Sequence, residues 1–102
     1  MEKFDERKKS FEKKFAQDEE LKFKVAAKRN KYLGQWVSQK LKHDSEKEKE
    51  YIQAVIKADF QEAGDEDVFR KLKADLKDQG VSDEEIRNKM KEFDEKAKSD
   101  FV

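Results

Sequence analysis

The chain has 102 residues and no cysteine, its formal net charge is zero, and 49% of its residues are charged against 34% that are hydrophobic. This length suits one domain, and the lack of cysteine excludes disulfides and thiolate metal sites. Balanced charge also disfavours a dedicated nucleic-acid binder, which normally carries an excess of lysine and arginine.

The first predicted element covers residues 4–41, which contain no proline. At 100° per residue its apolar side chains fall within roughly 120° of one helical face; they are Phe4, Phe11, Phe15, Leu21, Val25, Tyr32, Leu33 and Trp36. The apolar face widens from Phe23 onward. We therefore predict an N-terminal arm, residues 1–17, and a helical domain, residues 18–102. Asp18 can cap a helix at this break; one unbroken helix over 4–41 is the alternative.

Apolar periodicity predicts four helices in the domain, near 18–42, 46–63, 66–79 and 83–98. Their ends are marked by residues that suit helix caps: the pairs Ser45–Glu48 and Ser82–Glu85, Asp65 before the third helix, and Gly64 and Gly80 after the second and third. The predicted fold class is all-α, a small four-helix bundle with a mobile or loosely attached N-terminal helical arm.

The predicted core consists of large apolar residues at helical spacing: Leu33, Trp36, Val37, Ile52, Val55, Ile56, Phe60, Phe69, Leu72, Leu76, Ile86, Met90 and Phe93. Asp59 falls in the middle of the apolar arc of the second helix. A carboxylate there must be paired or hydrogen-bonded, so we expect Asp59 to be buried. Its expected partner is Arg29, Arg70 or a lysine, and the alternative is a small polar pocket.

Charge is segregated along the chain, because residues 22–42 carry bases without acids and residues 58–69 carry acids without bases. We expect these two runs to be neighbours in space. Gly34 lies inside the first helix, where glycine costs roughly 1 kcal/mol relative to alanine, so it predicts a close approach of another helix. His43 is predicted to be solvated in a polar loop. No metal site, glycine-rich phosphate loop or activated nucleophile is recognisable, which argues against an enzyme.

Three stretches together resemble one known family, and the resemblance spans nearly the whole chain. They read FDERKKSFEKKFAQDEELKFKVAAKRNKYLGQW from Phe4 to Trp36, ADFQEAGDEDVFRKLKADL from Ala58 to Leu76, and GVSDEEIRNKM from Gly80 to Met90. They are similar to the zeta subunit, the ATPase inhibitor of alphaproteobacterial F-type ATP synthases.

The resemblance implies a four-helix bundle whose N-terminal segment enters a catalytic interface of the soluble head and blocks rotation in the direction of ATP hydrolysis. The partner-binding residues that it implies are Phe4, Asp5, Arg7, Phe11, Glu12, Lys14 and Phe15. It also implies a link to purine nucleotides, with ATP or ADP as ligand near Lys28, Arg29 and Lys31. No cofactor is expected to be required.

The favoured function is therefore a regulatory inhibitor, a monomer when free, whose arm folds as a helix into a groove of its partner. The alternative is a nucleotide-binding helical module with weak or no inhibitory activity. No segment approaches the ~20 apolar residues that cross a bilayer, and no signal peptide is recognisable at the start. We expect a cytoplasmic protein, associated with the inner-membrane ATP synthase through its soluble head.

Overall fold

A computed structural model describes residues 13–15, 17–61 and 65–101. All regular structure in these residues is α-helical, which agrees with the predicted all-α class. The helices that follow Asp18 are α1, Glu19–Leu41; α2, Ser45–Gln61; α3, Glu66–Asp75; and α4, Asp83–Ser99. Helix α1 lies against α2 and α4, and α3 also packs against both of these helices.

The predicted end of the third helix, near residue 79, is wrong. Helix α3 ends at Asp75, because Leu76 leaves helical geometry with φ −98° and ψ 9°. Residues 76–80 form turns instead, and Gly80 takes a left-handed φ of 68° that favours glycine. The apolar period of this helix stops at Leu76, so the three polar residues that follow have no packing reason to remain helical.

Two helix starts are capped as predicted. The Asp18 carboxylate accepts a hydrogen bond from the Leu21 amide at 3.1 Å, and the Ser82 hydroxyl accepts one from the Glu85 amide at 3.1 Å. Each satisfies one of the amides that a helix start leaves free. These caps fix where α1 and α4 begin.

The predicted cap at Ser45 is wrong, and the one at Asp65 is right in position only. Ser45 is the first residue of α2, and Asp44 caps the helix by accepting from the Lys47 amide at 2.8 Å. A carboxylate also interacts favourably with the positive end of the helix dipole, which a hydroxyl does not. Asp65 stands at the start of α3 without a side-chain cap bond. The predicted Gly64 cap lies outside the described residues.

The main core is formed where α1, α2, α3 and α4 meet. Its buried members are Leu33, Val37, Val55, Val68, Phe69, Leu72, Leu76, Ile86 and Met90. Four predicted core residues are only half-buried: Trp36, Ile52, Ile56 and Phe93. The prediction for Phe60 is wrong, because this residue is 58% exposed near the end of α2. Periodicity assigned Phe60 to the apolar face, but Phe60 stacks on Phe23, which is itself exposed, and so stays open to solvent.

Gly34 lies where α1 and α2 approach each other closely, as predicted. A Cβ atom at this position would lie 2.7 Å from Ile52 Cγ1 and 3.0 Å from Ile52 Cα. These distances are shorter than van der Waals contact, so a larger residue would force the two helices apart.

The link between α1 and α2 corrects the prediction for His43. The ring is half-buried, with Nδ1 3.1 Å from the Ser38 hydroxyl and its centre 5.7 Å from that of Tyr51. The Tyr51 hydroxyl donates to the Asp75 carboxylate at 2.6 Å. His43 is therefore a packed part of the link rather than a solvated loop residue, since the chain turns at the preceding residue, Lys42, which has a left-handed φ of 58°.

Replacing Leu72 by alanine should lower the free energy of unfolding by about 2–5 kcal/mol, because the side chain is fully buried and leaves a cavity. Urea denaturation measures the change. Phe60→Ala removes a larger but exposed side chain and is the control; it should cost less than about 1 kcal/mol. Equal losses in the two variants would show that Leu72 is not a core residue.

The free energy of unfolding should decrease at alkaline pH, in part because the Tyr51 hydroxyl loses its proton more easily in the unfolded state. Burial, then the hydrogen bond to Asp75, raises the pKa of Tyr51 above its ordinary value. The folded state therefore holds this proton more tightly than the unfolded state, and the resulting stability is complete below about pH 10 and is lost as the pH rises further. Tyr51→Phe should be less stable than the intact chain at pH 8, and the difference should shrink between pH 9 and 11 in urea titrations. A difference that grows with pH would contradict this assignment.

Candidate functional site

The predicted partner-binding residues fall into two groups. Five of them lie outside the described residues: Phe4, Asp5, Arg7, Phe11 and Glu12. The other two lie in a helical stretch, residues 13–15, just before the domain. Lys14 is exposed and Phe15 is half-buried.

Phe15 contacts the domain at the junction of α1 and α4. It packs against a small cluster made by Val25 and Ala97, which are both buried. The Lys98 ammonium lies 4.9 Å from the centre of the Phe15 ring, within the range of a cation–π contact. The last turn of the predicted arm is thus attached to the domain through an aromatic side chain.

The chain changes direction at Asp18, between this stretch and α1. Asp18 has φ −107° and ψ 105°, an extended conformation. The alternative of one unbroken helix over residues 4–41 is therefore wrong at this residue. The Asp18 amide still donates to the Lys14 carbonyl at 2.9 Å, so the two helical stretches meet without a linker.

Arg29 is the charged group around which α1, α2 and α3 meet. Its guanidinium contacts Asp59 of α2 at 3.3 Å and Asp65, just before α3, at 2.6 Å. It also donates to the Asn30 side-chain oxygen at 3.0 and 3.2 Å. The Asn30 amide in turn donates to the other Asp59 oxygen at 3.0 Å. Basic and acidic runs of the sequence thus meet in space, as predicted.

This cluster decides between the two interpretations of Asp59. The Asp59 side chain is 15% exposed and Arg29 is 5% exposed. Both carboxylate oxygens are hydrogen-bonded, and no buried side-chain polar atom in the described part of the chain lacks a partner. The predicted ion pair with Arg29 is confirmed. Asn30 was not predicted, since an amide inside a basic run gives no signal of its own.

The three residues of the predicted nucleotide site do not lie together. Arg29 points into the cluster with Asp59 and Asp65, whereas Lys31 is exposed and Lys28 is half-buried. Lys28 and Lys31 instead line an open groove of about 600 Å³ between α1 and α2.

The groove combines an apolar floor with basic edges. Its lining residues are Phe23, Lys24, Ala27, Lys28, Lys31, Lys49, Ile52, Gln53, Ile56 and Phe101. At one end Phe23, which is 52% exposed, stacks on Phe60 with ring centres 5.1 Å apart. The spacing of Lys24, Lys28 and Lys31 along one side of a helix could have indicated this surface in the sequence. Lys49 and Phe101 come from distant segments and could not.

Other kinds of site find no support in the described residues. No group of three or more His, Cys, Asp or Glu side chains there could hold a metal ion. None of the helices described has the length and apolar character needed to span a bilayer.

Comparison of the sequence with models of known protein families gives a match over almost its whole length. The family model described as ATPase inhibitor subunit zeta matches residues 1–100, nearly the whole sequence and the predicted arm with it. A comparison with curated proteins found no match.

Removing the Asp59 carboxylate should destabilise the domain. Asp59→Ala leaves the buried Arg29 guanidinium without one of its two carboxylates, and we expect a loss of about 3 kcal/mol in the free energy of unfolding. Asp94→Ala is the matched control, because Asp94 also sits on a helix but its ion pair with Lys98 is far more exposed. It should cost less than about 1 kcal/mol in the same urea denaturation. If Asp59→Ala is as stable as the control, the cluster does not hold the helices together.

Proposed function

Because the chain belongs to the ATPase inhibitor subunit zeta family, we propose that it is a regulatory inhibitor of an F-type ATP synthase. Its N-terminal arm folds as a helix into a catalytic interface of the soluble head and blocks ATP hydrolysis. The single observation that carries the proposal is the family match, which includes the arm as well as the domain. The protein works in the cytoplasm, next to the inner-membrane enzyme.

The pattern of the arm supports a helix-in-groove mode of binding. Phe4, Phe11 and Phe15 are spaced by seven and four residues, so one face of a helix presents all three. The remaining predicted contact residues are charged and would lie at the edge of such a groove: Asp5, Arg7, Glu12 and Lys14. Aromatic anchors with polar neighbours are typical of residues that carry most of a binding energy.

The domain serves as the platform of the arm in this proposal, as a four-helix bundle. Phe15 packs on Val25 and Ala97, and Asp18 turns the chain between the arm and α1. These two features join the last described residues of the arm to the domain. Phe15 therefore has a structural task in addition to its proposed contact with the head, whereas Phe4 and Phe11 are proposed to contact only the head.

A nucleotide-binding module is the second candidate, with Lys28 and Lys31 beside the groove as its support. Arg29 would contribute nothing in this arrangement, because Asp59 and Asp65 already hold its guanidinium. We therefore place this function second. ATP or ADP would be a ligand rather than a required cofactor.

Phe11→Ser should abolish or strongly reduce inhibition of ATP hydrolysis by the soluble head, while the melting temperature of the free chain stays unchanged. The reason is that a serine cannot fill an apolar groove of the partner. Phe60→Ser is the matched control, since Phe60 is exposed and lies outside the arm. At saturating concentration it should inhibit as fully as the intact chain, because its arm is intact.

Phe15→Ser should reduce inhibition and also lower the melting temperature, because Phe15 packs on the domain. Two results would count against the proposal. Full inhibition by Phe11→Ser would show that the arm is not the effector, and no inhibition by the intact chain would show that this protein is not an inhibitor.

A further inference from the structure

We infer that the groove between α1 and α2 docks an acidic amphipathic helix of the ATPase head, as a second contact in addition to the arm. The groove is defined by its lining residues between Phe23 and Lys31 on α1 and between Lys49 and Ile56 on α2, together with Phe101. This inference rests on the proposed function for the identity of the partner. The chemistry of the partner surface follows from the groove itself.

The charge of the groove is unbalanced. Four lysines and no acidic residue line it. Lys24 has an ion pair with Glu20 at 3.3 Å, but Lys28, Lys31 and Lys49 have no carboxylate partner among the described residues. The chain as a whole carries equal numbers of acidic and basic residues, so this local excess is a segregation of charge and favours a negatively charged partner.

Several lysines elsewhere on the domain form ion pairs with carboxylates. Ion pairs of 3.1–3.2 Å join Lys71 to Asp75, Lys73 to Asp83, Lys89 to Glu92 and Lys98 to Asp94. Lysines without an ion pair among the described residues also occur outside the groove, among them Lys77 and Lys91. The groove differs because its four lysines share one surface that no acidic residue lines.

The floor of the groove is apolar and partly open to solvent. Phe23 is 52% exposed and Phe101 is 38% exposed, so both aromatic rings are available for contact with a partner. Between them, Ala27, Ile52 and Ile56 are half-buried. An exposed apolar strip with charged edges is typical of protein-binding surfaces, and the partner must supply apolar side chains as well as carboxylates.

The dimensions of the groove fit a short helical segment. From Phe23 to Lys31 the α1 edge is about 12 Å long, or a little over two helical turns. Lys24, Lys28 and Lys31 are spaced by four and three residues along it. A docked helix with carboxylates at similar spacing and apolar residues beside them would match both the edge and the floor.

Two other occupants fit less well. A second copy of this chain would bring two lysine-edged grooves together, and like charges in contact are unfavourable. A nucleotide normally occupies a concave pocket that buries most of its surface and directs several polar groups toward it. This groove is open, and apart from its lysines Gln53 is the only lining residue with a polar side chain.

Docking at the groove would help the arm to bind the ATPase head, and the arm would still be the segment that blocks ATP hydrolysis. Helix α1 runs from the groove toward Asp18 and the arm, so a domain held by its groove presents the arm at high effective concentration. Affinity for the head should then depend on salt, because the contact is partly between exposed charges.

The test measures the dissociation constant of the full chain and the soluble ATPase head by calorimetry at low salt, alongside inhibition. The variant is Lys28→Glu with Lys31→Glu, which removes no ion pair within the described residues. The control is Lys77→Glu with Lys91→Glu, the same change of net charge at exposed positions outside the groove. Melting temperatures show that both variants fold.

We expect the groove variant to bind the head at least about tenfold more weakly and the control within about twofold of the intact chain. Phe23→Ser should also weaken binding, since it removes apolar floor but no charge. The groove variant should still inhibit fully at saturating concentration, because the arm is intact.

Different failures are distinguishable. Equal affinity of the groove variant and the control would overturn the groove inference and leave the inhibitor proposal standing. If the intact chain binds the head without inhibiting it, and only the groove variant binds more weakly, the inhibitor proposal is overturned and the groove inference is supported. No binding by the intact chain would overturn both. If titration of the free chain with ATP or ADP saturates shifts in the NMR signals of Phe23, Ala27 and Ile52, the groove belongs to a nucleotide and the inference is wrong.

Discussion

The arrangement of the helices depends on one buried charge. The guanidinium of Arg29 is almost completely shielded from water, and it is held by Asp59 of α2 and by Asp65 at the start of α3. A buried charge without partners is very costly, so packings that separate Arg29 from these carboxylates are disfavoured. Replacing the whole cluster by apolar residues would not have to weaken the fold. What the cluster does is disfavour packings in which Arg29 lies away from Asp59 and Asp65.

Helix α1 has three regions, and each of them contacts a different part of the protein. One surface packs on α2 and α4 and contains Leu33 and Val37 of the main core. A second carries Lys28 and Lys31 at the open groove. The N-terminal end of α1 meets the stretch before Asp18, where Phe15 packs on the domain. A single helix thus borders the main core, the groove and the stretch that contains Phe15.

Much of the fold could be predicted from the sequence, because a repeat of apolar residues every three or four positions identifies helices directly. The burial of Asp59 was also predictable, since its position within an apolar arc requires a partner. Periodicity could not show which base would pair with it, because a run of lysines and arginines offers several candidates. It also could not show that Phe60 is exposed or that Phe101 lines the groove, since both depend on how segments distant in the sequence pack together. Residues 1–12, which carry most of the proposed contacts, lie outside the described part of the chain.

The proposed inhibition requires that the arm folds onto the ATPase head while the domain keeps its structure. Hydrogen–deuterium exchange of the full chain, alone and bound to the soluble head, tests this most directly, because amides that enter a helix exchange more slowly. We expect exchange in residues 4–17 to slow on binding, whereas exchange at the core amides of α2, α3 and α4 should be unchanged. Slower exchange confined to the domain, with residues 4–17 unaffected, would contradict it.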